Sequence, residues 1–401
     1  MVTVEQAEQI INSQNRDYGN ELVSFANSLG RVLAEDLLAD RDFPPCNRST
    51  MDGIGISYSA LIGGHKTFTI IATIAAGNQP VEITHPNECV EIMTGAPLPD
   101  SVDAVIRYED VEIEAGVAIV LVENVKQGQN IHSKGKDKRS GDIVANAGQV
   151  ITPSLIGIAA SVGKTNLLVK KHPRVVVLST GDELVGVEET PTLYQIRRSN
   201  SHTVKAVLEQ FKIEVDLLHI NDNQSFIKEQ IDTCLTNYDV LILSGGVSMG
   251  KFDFVPNALA EAGVQCMFHK VQQRPGKPFW FGTHKDGQIV FAFPGNPVST
   301  FLCLHRYFLP WLQIVRDNKK VPLVRAILDK EVTFNPNMQY FMQVKVGVNE
   351  EGQLVATPLE GNGSGDFANL LESNAFMELP KEKTVFCKGE VYRIWPFKLI
   401  I

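Results

Sequence analysis

Residues 240–254 read VLILSGGVSMGKFDF. Val240 to Leu243 form an apolar run too short for a helix and without alternation, as in a strand buried on both faces. The run ends at Ser244, Gly245 and Gly246, with Ser248, Lys251 and Asp253 close behind. Glycines permit turns with positive φ that aim successive backbone N–H groups into one concavity, and the next helix adds its positive dipole end. Such a loop suits a phosphate or another small oxyanion, and Ser244 and Ser248 can donate as well.

Outward from that loop the pattern repeats. RVVVLS (174–179) is a second apolar run, followed by a helical stretch at about 200–211. Then come the strand KIEVDLLHI (212–220), a helix at about 224–236, the 240–244 strand, a helix at about 254–262, the strand QIVFAF (288–293) and a helix from about Val298. Strands alternating with helices predict right-handed crossovers and a doubly wound parallel sheet. Parallel strands place their carboxyl ends on one rim, where open α/β sheets bind ligands. The four ends carry Thr180-Gly181-Asp182-Glu183, Asn221-Asp222, the 245–253 loop, and Pro294-Gly295-Asn296-Pro297. Carboxylates beside a phosphate repel it unless a divalent cation lies between, so Glu183, Asp222 and Asp253 around one polyphosphate imply Mg²⁺. Asp222 and Asp253 each precede a helix and could instead be its N-cap. Glu183 has no such role.

The rest of the chain suggests three further parts. Residues 1–40 carry helical apolar spacing, which RDFPPCNRS (41–49) breaks because prolines cannot continue a helix. Short β-like runs fill 50–137, and TPSLIGIAASVG (152–163) predicts a helix with a Thr cap and Pro at N1 that packs back on the first segment. After about 320 the β texture returns. The expected domains are a discontinuous helical domain (1–45 and 138–172), a β domain (46–137), the α/β domain (173–316) and a small C-terminal β-barrel domain (317–401).

In 401 residues, 37 Lys and Arg face 46 Asp and Glu, a formal charge of −9. That balance disfavours nucleic acid and anionic membrane as partners, so anion binding must come from local cations and backbone amides. Six scattered cysteines without a CxxC pair predict neither a disulfide framework nor a zinc site. No signal peptide or apolar run of membrane-spanning length stands out, which points to a soluble cytoplasmic protein. GIAASVGKT (157–165) has five residues between its glycines where a phosphate loop needs four, and no HExxH or GxSxG occurs. RPGKPFWFG (274–282) sets Arg274 and Lys277 around a Pro-Gly turn, with Lys270 four residues before; it suits an anion pocket or a solvated hairpin.

Taken in order, STMDG, EIMTGAPLP, GKD (135–137), LSTGDELV, QIRRSNS, SGGVSMGKFDF, RPGKPFWFG and FPGNPVS resemble the molybdopterin molybdenumtransferase family, whose animal relative is the C-terminal part of gephyrin. The resemblance spans essentially the whole chain. It implies a cytoplasmic homodimer with an intersubunit cleft, and transfer of molybdenum from molybdate to adenylated molybdopterin with Mg²⁺-dependent anhydride hydrolysis and AMP release. By motif match, Glu183, Asp222 and Asp253 are metal and pyrophosphate groups; Lys270, Arg274 and Lys277 are the molybdate and phosphate cations. Gly245, Gly246 and Ser248 belong to the cradle, Pro294 and Pro297 shape the fourth rim loop, and Asp52, Thr94, Asp137 and Ser364 complete the cleft. Arg274 stands where lysine is common in the family, Asn221 where an acid is frequent, and Ile54, Gly55 and Arg198 also depart from the pattern. Transient partners implied are the molybdopterin adenylyltransferase and apo-molybdoenzymes. A scaffold binding the pterin nucleotide without turnover, of gephyrin type, is the alternative.

Overall fold

The apolar runs at 175–180, 240–244 and 289–293 are strands buried at every position. Because side chains alternate across a strand, Val175, Val177, Val240 and Ile242 enter one core and Val176, Leu178, Leu241 and Leu243 the other. The computed structural model describes residues 1–221, 223–247, 254–317, 322–360, 363, 365 and 368–400. The chain divides into two units: Met1–Leu22, Gly30–Val32 and Leu168–Ile401, and Val23–Leu29 with Leu33–Leu167.

In the first unit a six-stranded sheet runs in the order 215–220, 175–180, 240–244, 289–293, 280–284, 264–269. Its first four strands are parallel, as expected. Trp280–His284 and Val264–His269 extend the sheet antiparallel, an edge absent from the sequence-based reading. The order reverses between 175–180 and 240–244, so a switch-point crevice opens beyond Thr180 and Ser244. Helices 200–209 and 4–13 supply Val204, Leu208, Val4, Ala7 and Ile11 to one face; helices 224–237 and 255–261 supply Ile227, Ile231, Val255 and Leu259 to the other. Each of the valines, leucines and isoleucines among them contributes about 1.5–3 kcal/mol by leaving water.

Beyond the sheet, Gln339–Val348, Leu354–Pro358, Val324–Leu328, Val391–Pro396 and Ala375–Leu379 pair in that order. The last returns to pair with the first, closing a five-stranded barrel around Leu328, Val344, Met377 and Ile394. The strand Gln273–Arg274 joins it, parallel to Gln339 and Tyr340.

The second unit holds a six-stranded sheet from Gly53–Ile56 to Val117–Val120 around Ile54, Phe68 and Ile106. Gly53 has no substitute there, since a Cβ would stand 1.9 Å from the Ile106 carbonyl oxygen. The helix Pro153–Ser161 has the expected cap, Thr152 accepting from Leu155 N. The helical reading of residues 14–40 does not hold. The helix stops at Ser13, Asn20–Ser24 is a strand, Gly19 and Gly30 adopt φ of 83° and 81°, which a helix cannot accommodate, and Leu37–Leu38 forms a strand against Ile143–Ala145. Among the described residues, no helix is long and apolar enough to cross a membrane.

Candidate functional site

Three rim loops meet at the switch point, and their closeness depends on glycine. Gly245 has φ of 98°, and a Cβ there would lie 2.9 Å from the Thr180 carbonyl oxygen. A Cβ on Gly246 would come within 2.6 Å of Val255 Cγ2 and 2.8 Å of Thr180 Oγ1. Gly245 N donates to the Phe293 carbonyl, tying the third loop to the start of the fourth. Asn200 completes the join, its Nδ2 donating to Ser244 Oγ at 2.9 Å and to the Gly295 carbonyl at 2.7 Å. Thr300 Oγ1 donates to the Pro294 carbonyl at 2.6 Å, which holds the fourth loop on its own helix.

The space enclosed is a cavity of about 270 Å³ lined by Thr180, Glu183, Arg197, Asn200, Gly245 and Pro297, among others. Glu183 folds over Gly181: a Cβ there would meet its Oε2 at 2.5 Å. Thr180 Oγ1 is buried and has no hydrogen-bond partner among the described residues. A buried, unsatisfied hydroxyl is costly, so its position at the cradle suits a polar ligand or water.

A second cavity, of about 550 Å³, holds Arg274, Lys277, Pro294, Asn296, Tyr340 and Gln343 in its walls. Asn296 lines both cavities, so they flank one loop. The turn 274–277 lines this pocket, with the Arg274 and Lys277 side chains exposed to solvent at its wall. Lys270 lines neither cavity. Its backbone is left-handed, φ 74°, unusual for a non-glycine residue, with its N–H on the Phe279 carbonyl and its carbonyl accepting from Val2 N.

Asp52, Thr94 and Asp137 belong to the other unit. Asp52 Oδ1 accepts from Thr94 N at 2.6 Å and Thr94 Oγ1 at 2.9 Å. The Thr94 backbone N–H, then its hydroxyl, holds the Asp52 carboxyl below the usual carboxylate range. Asp137 Oδ1 lies 2.9 Å from His132 Nε2, and Arg48 reaches His132 Nδ1 at 3.3 Å. Arginine only donates, so Nδ1 accepts and Nε2–H donates to Asp137. His132 and Asn200 were not among the expected site residues; Asn200 at least lies inside the quoted QIRRSNS.

Asp222, Ser248, Asp253 and Ser364 lie outside the described residues. The helix Gln224–Asn237 is capped by Asn223, which accepts from Phe226 N, and the cap position of Val255–Glu261 is Phe254. In neither helix is the cap the acid that the sequence offered. Among the described residues no group of three or more His, Cys, Asp or Glu could hold a metal. The donors that are described at the small cavity, the Glu183 carboxylate with the Thr180 and Ser244 hydroxyls, are oxygens, which in kind suits a hard cation such as Mg²⁺.

A mostly parallel α/β sheet with a glycine- and hydroxyl-lined crevice at its switch point, flanked by a pocket bearing Arg274 and Lys277 against a barrel, defines a protein that handles anionic small molecules. The comparisons narrow this. Residues 2–163 match the MoeA N-terminal region (domain I and II), 176–314 a probable molybdopterin binding domain, and 325–397 the MoeA C-terminal region (domain IV). The chain is 36% identical to a molybdopterin molybdenumtransferase of Synechocystis over 98% of its length and 99% of that protein. It is 33% identical to one of Haemophilus influenzae, with 95% of each covered. A solved structure, the molybdopterin biosynthesis MoeA protein from Pyrococcus horikoshii OT3, superposes with a TM-score of 0.83 at 26% identity, covering 99% of this chain and 100% of that one. The chain belongs to the molybdopterin molybdenumtransferase family.

Proposed function

We propose that this chain is a transferase of molybdenum cofactor synthesis, moving molybdenum from molybdate into adenylated molybdopterin with release of AMP. One observation carries the reading beyond family membership: a small cavity bearing the Thr180 and Ser244 hydroxyls and a larger one bearing Arg274 and Lys277 share the Pro294–Pro297 loop. The substrate pyrophosphate occupies the small cavity, taken up by the N–H group of Gly246 and the hydroxyls of Thr180, Ser244 and Ser248, while Gly245, whose N–H is held by the Phe293 carbonyl, shapes the turn. Arg274 and Lys277 hold the molybdate oxygens beside the pterin, with Lys270 adding positive charge. Water cleaves the phosphoanhydride, one phosphate leaving as AMP and the other staying on the pterin, and the preorganised donors stabilise the charge that develops. Glu183, Asp222 and Asp253 would hold Mg²⁺, which when bound offsets the pyrophosphate charge.

The working form is a cytoplasmic homodimer, in which Asp52, Thr94, Asp137 and Ser364 complete the cleft. Its reaction class places it after the adenylyltransferase that makes its substrate and before the apoenzymes that take the product. A scaffold that binds the pterin nucleotide without turnover is not favoured. Mixing the purified chain with adenylated molybdopterin, molybdate and Mg²⁺ tests the proposal. AMP released together with cofactor is the expected result; tight binding without AMP defeats it.

A further inference from the structure

Gln273 is fully buried directly before the cationic turn. A buried amide carries two donors and an acceptor, and leaving them unpaired is costly. Its Oε1 accepts from the Tyr307 hydroxyl, and its Nε2 points to Cys303 Sγ at 3.8 Å. Tyr307 is 2% exposed, and that burial pushes its phenol well above the ordinary value, so the hydroxyl stays the donor. The turn rests on this amide. A Cβ on Gly276 would stand 2.6 Å from Gln273 Nε2 and 3.0 Å from Cys303 Sγ, and Gly276 has φ of 86°.

Both partners of Gln273 come from one helical rod. It begins at Pro297, passes through a π-helical segment at Leu304–Phe308, and ends at Asp317. The π segment lets the adjacent Arg306 and Tyr307 both point into the interior, and such insertions recur at functional sites. The first turn of the same rod, at Asn296 to Ser299, forms a wall of the 550 Å³ cavity. Arg274 and Lys277 stand in another wall. The bond from Tyr307 to Gln273 thus fastens the rod to the base of the cationic turn.

We propose that Gln273 and Tyr307 are positioning residues whose hydrogen bond sets the spacing between the Pro294–Pro297 loop and the Arg274–Lys277 turn, and with it the affinity for the oxyanion. Its functional half rests on the reading that Arg274 and Lys277 hold molybdate. Arg274 has a second support, since its guanidinium lies 5.9 Å above the Phe334 ring. Lys277 has no comparable packing contact on its side chain among those described, so it depends more on the turn backbone.

The test uses Tyr307→Phe, Gln273→Leu and the double variant in the full chain. Two quantities are read: the molybdate concentration giving half-maximal AMP release at saturating nucleotide and Mg²⁺, and amide hydrogen exchange over residues 270–280. Each single variant is expected to raise half-saturating molybdate about five- to tenfold with the maximal rate nearly kept, a loss of the size of one hydrogen bond. The double variant should be no worse than the worse single one, because both remove the same bond. Exchange over 270–280 should quicken in all three. A lower melting temperature with unchanged molybdate dependence would make the contact merely structural and overturn the proposal. Unchanged exchange in Tyr307→Phe, which loses one oxygen atom only, would overturn it even if Gln273→Leu fails to fold. No AMP from the wild type would defeat the proposed function instead, while the exchange comparison would still decide whether this bond holds the turn.

Discussion

Asn200 Nδ2 donates to Ser244 Oγ at 2.9 Å, linking the first turn of one helix to the last residue of the central strand. The same nitrogen reaches the Gly295 carbonyl at 2.7 Å, so a single amide fixes the gap between two loops that the cradle needs close together. Asn200→Ala is expected to lower stability by about 1 kcal/mol, since Ser244 is buried and loses a partner while the exposed Gly295 carbonyl can turn to water. AMP release should fall by more than that stability loss explains, roughly tenfold or beyond, since misplaced donors are costly in catalysis. Denaturant midpoints measured alongside turnover separate the two effects; a variant as active as wild type shows that the rim does not need this tie.

Lys270 offers a backbone test. Its φ of 74° places a Cβ where L-residues are strained. Lys270→Gly should be more stable than Lys270→Ala by about 1 kcal/mol, because only glycine enters that region freely. Both variants lose the cation, and both should lose activity. Equal stability of the two in urea melts would mean that the strain is absent.

How much of this was readable beforehand follows from what each contact depends on. The strands 175–180, 240–244 and 289–293 were legible because burial on both faces demands unbroken apolar runs. The antiparallel edge at 264–269 was not, because Gln265 and Cys266 are exposed there and blur the apolar signal. The 14–40 segment carried helical spacing, yet Gly19 and Gly30 at positive φ outweigh a pattern of apolar residues. At the site, glycine-rich strand ends and the cationic turn were visible as residue types. Asn200 to Gly295 and Gln273 to Tyr307 were not, since contacts across 95 and 34 positions leave no local trace. The acids Asp222 and Asp253 lie outside the described residues.

Arg306 is 1% exposed and pairs with Glu8 Oε2 at 2.7 Å, while its guanidinium also covers the Trp395 ring at 4.3 Å. Glu8→Ala strips the closest counter-charge from a buried cation. Glu378 at 3.8 Å and the partial exposure of Glu8 soften the loss, so about 2–3 kcal/mol is expected, below the full penalty for a wholly buried pair. Guanidinium melts of the variant check it; a change under about 0.5 kcal/mol would place the pair with ordinary surface bridges.

Two buried histidines contribute to the acid limb of stability, above the range where the carboxylates protonate. Burial lowers His172 from 6.5 to about 3 and His305 from 6.5 to about 4. Below pH 6.5 the unfolded chain binds protons at these sites that the folded chain refuses, so stability falls as pH drops from about 6.5 towards 4 and is unaffected by them above 6.5. Each contributes a slope of up to about 1.4 kcal/mol per pH unit. Urea midpoints at several pH values should show this, with a shallower slope in His305→Gln; identical slopes would mean that His305 titrates normally in the folded state.

The division of labour between the two cavities is tested most directly by AMP release across a molybdate series, comparing the wild type with Lys277→Ala at saturating nucleotide and Mg²⁺. If the larger cavity holds the oxyanion, the variant needs at least about tenfold more molybdate for half-maximal release, as for loss of a charged hydrogen bond. Superimposable molybdate curves for the two proteins would contradict that assignment.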